Sequence, residues 1–270
     1  MNQKTFDSST VKDVVRRHWA ARAAEFDDVP NHGLHSDAQR DAWLTRIQAW
    51  AGDQPLDVLD VGCGTGFLAL LLAELGHRVT GVDAATEMLD LARAKAISAR
   101  LQVGLHEADA EHLPFPDGAF DLIVERHVIW TLPDPMKGLA EWSRALRLGG
   151  RLVLIEGDWR GAGGNAKSAD DYAAIQAALP LYGGRPAAEL AELVKATGFA
   201  DVQIEPLMDE VLWAGLPESE RYALLGLRSD SGITSPQDGG RVRRGKVRLE
   251  SATTRVFKAP EEGSEPTRGV

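Results

Sequence analysis

Along the first fifty residues the apolar positions recur at intervals of three and four. Val11, Val14, Val15, Trp19, Ala23 and Phe26 share one face of a helix, with Ser8, Ser9 or Thr10 placed to cap its start. A second helix is predicted over 37–50, after an irregular stretch that holds Pro30, Gly33 and two histidines, His32 and His35. The pattern then changes. Val58, Leu59 and Val61 form a short apolar run, broken by Gly62, Gly64 and Gly66, and an uninterrupted apolar helix over 67–75 follows at once. Strand, tight turn and helix make a β-α unit whose turn brings bare backbone and a helix N-terminus up to a ligand. Glycine is needed there because a Cβ would block the approach and the turn requires positive φ.

The alternation continues down the chain. Residues 78–82 read as a buried strand ending in Asp83, 85–99 as a helix, 101–105 as a third strand and 106–116 as a turn-rich loop. A fourth strand is predicted at 120–124 and a helix over 133–148, with Gly149 in the left-handed position past its end and a fifth strand closing at Ile155. Beyond it come a glycine-rich loop at 161–165, a helix over 170–179, a turn at 180–186, a helix over 187–197 and a strand over 202–206. The pattern ends in an antiparallel strand over 221–227. From about Ser229 proline, glycine, serine and charge take over, and Arg241, Arg243, Arg244, Lys246 and Arg248 form a basic run. Without interleaved aromatics this run reads as a mobile tail or solvated strand rather than a nucleic-acid contact.

The glycine spacing narrows the ligand. A dinucleotide fingerprint places its third glycine or alanine where this chain has the bulky Phe67, which argues against a nicotinamide oxidoreductase. What stands here is Asp60-x-Gly62-x-Gly64-x-Gly66. Asp83, at the end of the second predicted strand, is where a doubly accepting carboxylate meets the two hydroxyls of a ribose. A helix-cap role for Asp83 is the alternative.

These residues resemble motif I of the class I S-adenosylmethionine (SAM) methyltransferases. The run from Asp109 and Ala110 through Leu113-Pro114-Phe115-Pro116-Asp117-Gly118 to Phe120-Asp121 is similar to motif II of the group that includes the ubiquinone and menaquinone biosynthesis enzymes. The run from Trp142 to Leu152 resembles the family's late, architectural motif. The resemblance covers roughly residues 57–155. It implies an α/β fold: a Rossmann-like, seven-stranded, mostly parallel sheet with helices on both faces, an N-terminal helical lid and a helical insertion after strand 5. The implied division is 1–52 as lid, 53–228 as SAM-binding domain with an acceptor-side insertion near 156–186, and 229–270 as a polar tail.

The resemblance also assigns residues. SAM is the implied cofactor, with the backbone of Gly62, Cys63, Gly64 and Gly66 near its methionine part and Asp60 in support. Asp83 and Ala84 then stand at its ribose, Asp109 and Ala110 at its adenine, and Glu125 at the end of the fourth strand. Trp19, with Phe26, becomes the lining of a lid, the alternative being that this helix face packs against the core. Arg126, Trp130, Tyr182 and Arg185 are candidates for acceptor contact. His127, where relatives read asparagine, is a candidate base together with His32; a histidine titrates near neutral pH and can take a proton from a hydroxyl or amine. The function implied is methyl transfer to O or N of a small molecule. A carbon-methylating quinone enzyme and a non-catalytic SAM-binding protein stay open.

Composition adds limits. A net charge of −10 speaks against general nucleic-acid or anionic-membrane binding, and no apolar run reaches the length of a membrane span. One cysteine, Cys63, excludes an intrachain disulfide or a Cys-rich metal site, and no metal is expected. With no apolar stretch near the N-terminus, the expectation is a cytoplasmic protein, monomer or homodimer, acting on a small molecule.

Overall fold

The computed structural model describes residues 7–160 and 170–230. The glycine-rich loop at 161–165 and the basic run at 241–248 lie outside the described residues. Seven strands form one sheet in the order β3-β2-β1-β4-β5-β7-β6. These are β1 (Asp57–Val61), β2 (Arg78–Asp83), β3 (Val103–Glu107), β4 (Phe120–Arg126), β5 (Leu146–Gly157), β6 (Phe199–Pro206) and β7 (Arg221–Arg228). β1 to β5 pair in parallel, and β7 runs antiparallel to both β5 and β6. The order reverses beside β1: the chain moves outward to β2 and β3, then returns to β4 on the other side. That switch opens a crevice at the carboxyl ends of the strands.

The helices are α1 (Ser8–Arg22), α2 (Asp37–Ala51), α3 (Phe67–Glu74), α4 (Thr86–Ala99), α5 (Pro135–Ala145), α6 (Asp170–Ile175), α7 (Ala187–Ala196) and α8 (Glu210–Trp213). Neighbouring strand residues point to opposite faces, so the central strands feed two cores. Leu59, Ile123, Leu152 and Leu154 pack with Leu139 and Trp142 of α5 and with Leu190 and Val194 of α7. Val58, Leu122, Val124, Val153 and Ile155 pack on the other face with Trp43 and Ile47 of α2, Leu68 and Leu72 of α3, and Trp213 of α8. The buried indoles in these layers keep their N–H groups satisfied: Trp43 Nε1 donates to the Leu212 carbonyl (2.8 Å), Trp213 Nε1 to that of Leu207 (2.7 Å) and Trp142 Nε1 to that of Ala110 (2.8 Å).

Element boundaries depart from the sequence expectation in instructive places. Asp7, not a serine or threonine, caps α1, its carboxylate accepting from the Thr10 amide at 2.9 Å. α1 stops at Arg22, and Ala23–Asp28 tighten into a 3-10 turn that carries Phe26. β3 begins two residues later than predicted. β4 runs on to Arg126, which places Glu125 and Arg126 inside the strand instead of beyond it. α5 ends at Ala145 because Leu146 already pairs with Phe120; the register then shifts before Arg151 pairs with Leu122. Gly149 does have positive φ (75°), but in this irregular stretch of β5 and not at a helix end.

Candidate functional site

The carboxyl ends of β1, β2, β4 and β5, roofed by α1 and the 3-10 turn, enclose a cavity of about 1330 Å³. At one end is the glycine turn. Gly62 sits at φ 63°, and a Cβ there would lie 2.3 Å from Val128 Cγ2 in the loop after β4. Gly64 sits at φ 53°, and the nearest atom to its absent Cβ is Phe26 Cε1 at 3.7 Å, so a bare backbone faces the cavity. The Gly64 amide donates to Asp83 Oδ2 (2.9 Å) and the Ala85 amide to Asp83 Oδ1 (2.8 Å). One carboxylate thus fastens the turn to the end of β2 and the start of α4, whose N-cap is Ala85 and not Asp83. A carboxylate has about four lone-pair sites, so acceptor capacity remains toward the cavity.

Asp109 and Ala110 stand on the same wall. The loop that carries them is braced from beneath, where the Glu111 carboxylate accepts from the Asp134 amide (2.8 Å) and the Leu113 amide donates to Glu141 (2.8 Å). Lys12 of α1 reaches across to pair with Asp109 (2.7 Å) and Glu111 (2.6 Å). Trp19, on the same helix, meets Phe26 at 5.9 Å and Trp130 at 6.3 Å between ring centroids. Trp19 and Phe26 both line the cavity.

Several expected site residues stand elsewhere. Asp60, Cys63, Gly66 and Glu125 are not on the cavity wall. Asp60 is 2% exposed, and burial pushes its carboxyl up to about 8. Cys63 turns its thiol inward against Gly81, where burial raises its pKa well above the ordinary value. Gly66, at φ 91°, begins α3. Glu125 points inward and accepts from the Val128 amide at 2.8 Å. Arg185 is spent on its own turn, donating to the carbonyls of Pro180, Tyr182 (3.2 Å) and Gly184 (2.6 Å). Arg126 reaches the cavity, but its guanidinium lies flat on Phe67 (3.6 Å) and donates to the His32 carbonyl (2.6 Å), which ties the loop before α2 to the sheet.

The opposite end is aromatic. Trp130 meets Trp159 at 6.0 Å and Tyr182 at 5.8 Å. His127 stands between Trp159 (5.0 Å) and Trp213 (5.8 Å) in a left-handed backbone conformation, φ 63°. A non-glycine residue held there costs energy and clusters at functional sites. Burial, with Arg126 and Arg221 nearby, drives the His127 pKa well below the ordinary value. Its Nδ1 is sealed from solvent and faces Glu156 Oε2 at 3.8 Å. Glu156 in turn faces Glu125, and burial raises both carboxyls, each opposing the other's charge. His32 also lines the cavity, stacked on Phe26 at 4.3 Å, and burial lowers it to about 4.

Trp159, Trp213, Arg221 and Glu156 were not singled out by sequence. They come from the ends of three elements, β5, α8 and β7, so no local spacing marks them as a set. The one available signal was that Glu156 and Trp159 follow a buried strand at its crevice end.

A model of the methyltransferase domain matches residues 59–154. A demethylmenaquinone methyltransferase of Thermus thermophilus is 47% identical over 104 residues, 38% of this chain and 47% of that one. The malonyl-[acyl-carrier protein] O-methyltransferase of Serratia marcescens is 30% identical over 200 residues, 71% of this chain and 76% of that one. The chain belongs to the class I SAM-dependent methyltransferases. It spans about half the length of the first demethylmenaquinone methyltransferases it matches, 47% and 59% of the Thermus and Deinococcus proteins. A solved [4+2]-cyclase, SpnF, shares the fold at TM-score 0.62 and 21% identity, covering 81% of this chain and 96% of that one. Its fold alone does not choose a chemistry.

SAM is the cofactor of this methyltransferase family, and the wall fits it. The bare backbone of Gly62 and Gly64, the Asp83 carboxylate bonded to it and Asp109 all line the cavity, a donor set suited to an amino-acid end, a ribose and an adenine. Among the described residues no cluster of His, Cys, Asp or Glu could hold a metal ion, and no helix is long and apolar enough to cross a membrane.

Proposed function

We propose that this protein methylates a flat, hydroxyl-bearing aromatic small molecule. The observation that carries this reading is the acceptor end of the cavity: Trp130, Trp159, Tyr182 and Trp213 wall a slot for a planar ring, with His127 among them. When bound, SAM supplies an activated methyl group together with its own leaving group. The residues contribute alignment, dryness and one proton acceptor. Gly62 and Gly64 admit the cofactor's amino-acid end, Asp83 accepts from its ribose and Asp109 from its adenine. α1 and Trp19 keep water out.

His127 is neutral at physiological pH, because burial and two nearby arginines oppose its charging. With its own proton on Nδ1, toward Glu156, it turns the Nε2 lone pair to the cavity. There it accepts the hydroxyl proton as the acceptor becomes nucleophilic. An ionising phenol is activated at oxygen and at the neighbouring ring carbon, so the same base serves either outcome. The demethylmenaquinone relative supports a quinone-type acceptor, and a ubiquinone/menaquinone biosynthesis C-methyltransferase, 34% identical over 155 residues, supports the ring carbon. The Serratia relative, named as an O-methyltransferase, keeps oxygen open.

The test is release of S-adenosylhomocysteine from SAM across a panel of hydroxyaromatic compounds and aliphatic amines, with carbon-13 NMR of the product to find the new methyl. Turnover confined to hydroxyaromatics supports the reading. Turnover confined to amines, or no calorimetric binding of S-adenosylhomocysteine, ends it.

A further inference from the structure

Arg221, the first residue of β7, is 7% exposed and still lines the cavity. Burying a guanidinium is costly unless its charge is answered. Its hydrogen bonds go through Nη1 to two neutral oxygens, Ser219 Oγ and the Glu220 carbonyl at 3.2 Å. Among the described residues it makes no ion pair with a carboxylate. The acids that face it are the buried Glu156 and the exposed Glu218, and neither comes within ion-pair distance among the described residues. The other cavity arginines are differently occupied. Arg16 is paired with Asp13 at 2.8 Å, Arg22 is hydrogen-bonded to His18 Nε2 at 3.0 Å on the face of α1, and Arg126 lies on Phe67 and is bound to a carbonyl.

The position of Arg221 is specific. Its guanidinium lies over Trp159 at 5.1 Å and Trp213 at 5.7 Å, the same two indoles that flank His127. The two indoles and the Nη1 bonds confine the guanidinium, and among the described residues its Nε and Nη2 donors are free to meet a bidentate partner. The backbone gives it little freedom, since Arg221 pairs with Gly157 in the sheet and its carbonyl accepts from the Leu207 amide at 2.8 Å.

We infer that Arg221 is the anchor for an anionic group on the methyl acceptor, and that the acceptor is a hydroxyaromatic carboxylate. The inference rests on the proposed methylation of a hydroxyaromatic and narrows its substrate. The carboxylate pairs with Arg221, the ring lies against Trp159 and Trp213, and the ionising hydroxyl meets His127.

Hydroxylated benzoates and naphthoates, each paired with its primary amide, test this in the presence of S-adenosylhomocysteine, with quenching of tryptophan fluorescence as the readout. The wild type should bind at least one carboxylate tighter than its amide by about 10-fold or more, the scale of a charge-assisted bond in a partly dry site. Arg221→Met should collapse that ratio toward one, and Arg221→Lys should keep part of it. Calorimetric binding of S-adenosylhomocysteine to each variant checks that the fold and the cofactor end survive. Equal affinity for every acid and its amide in the wild type overturns the inference, as does a preference that persists in a folded Arg221→Met. Those results leave the methyltransferase reading intact. Loss of cofactor binding by the wild type would instead remove that reading and this inference with it.

Discussion

The two ends of the cavity solve opposite problems with opposite chemistry. At the cofactor end polar groups are paired locally: the Asp83 carboxylate takes the Gly64 and Ala85 amides, and Asp109 takes the Glu111 amide and Lys12. At the acceptor end buried polar atoms remain without partners, among them Glu156 Oε1 and Oε2, Glu125 Oε1 and His127 Nδ1. Satisfied buried groups are rigid and inexpensive, and unsatisfied ones persist where something else is to be recognised or moved. The contrast assigns the first end to holding a constant ligand. On the proposed reading the second handles a proton.

The largest effect that would break this comparison lies at the rigid end. Gly64→Val places a branched side chain on a backbone at φ 53°, in space the bare turn leaves to a ligand. The expected outcome is abolished binding of S-adenosylhomocysteine by calorimetry, with about 1–2 kcal/mol lost from stability through the left-handed conformation. A folded Gly64→Val protein with wild-type affinity would show that the turn is not the cradle.

Next in size is His127. Asparagine tolerates the left-handed region better than most residues, so His127→Asn removes the imidazole while respecting the φ of 63°. Turnover on a hydroxyaromatic acceptor should fall by about 10²–10⁴-fold, the usual contribution of a positioned acid or base, with cofactor affinity retained. The pH profile sharpens the point. Because the folded-state pKa of His127 is driven far below 6.5, the wild-type imidazole stays neutral as pH falls through 6.5, and turnover should hold level there. A clear loss of turnover centred near pH 6.5 would mean that His127 is not the group accepting the proton.

The same contrast governs what the sequence discloses. The cofactor end is built from contiguous stretches, Asp60 to Phe67 and Asp109 to Asp121, whose glycines and turn residues are dictated by backbone geometry and so leave a spacing to read. The sheet was legible for the same reason, because apolar runs of period two and helices of period 3.6 repeat in order. What failed there were boundaries set by tertiary pairing, such as Leu146 joining Phe120 before α5 could run on. The acceptor end is different. His127, Glu156, Trp159, Trp213 and Arg221 come from β4, β5, α8 and β7, and only the folded sheet brings them together. Arg185 was chosen from its turn because an arginine beside Tyr182 looks like a ligand contact; the turn uses it to close itself.

A smaller effect concerns stability. Glu125 lies 0% exposed, and burial raises its pKa above the ordinary 4.5. The folded protein therefore holds a proton that the unfolded chain has released, so stability falls as pH rises from about 4.5 toward the raised folded value. Melting temperature should drop across that window in the wild type. Glu125→Gln, which keeps the acceptor for the Val128 amide and cannot ionise, should flatten the slope. An equal slope in both proteins would place the titration elsewhere.

The smallest effect tests whether α1 behaves as a lid. Lys12 pairs with Asp109 and Glu111 at 2.7 and 2.6 Å, and Asp109 is the carboxylate proposed to accept from the adenine. A bound cofactor and the Lys12 ammonium then share one acid, and α1 is held down by the same contact. Lys12→Met removes the charge and keeps most of the stem that packs under the helix. Side chains 27% and 41% exposed give a pair largely screened by water, worth about 0–1 kcal/mol, so S-adenosylhomocysteine affinity should change by no more than about fivefold. The direction carries the information. Tighter binding would show that Lys12 competes for Asp109, and weaker binding with faster cofactor release in stopped flow would show that it closes the lid. Unchanged binding and release would separate α1 from the cofactor and leave only the aromatic end beneath it.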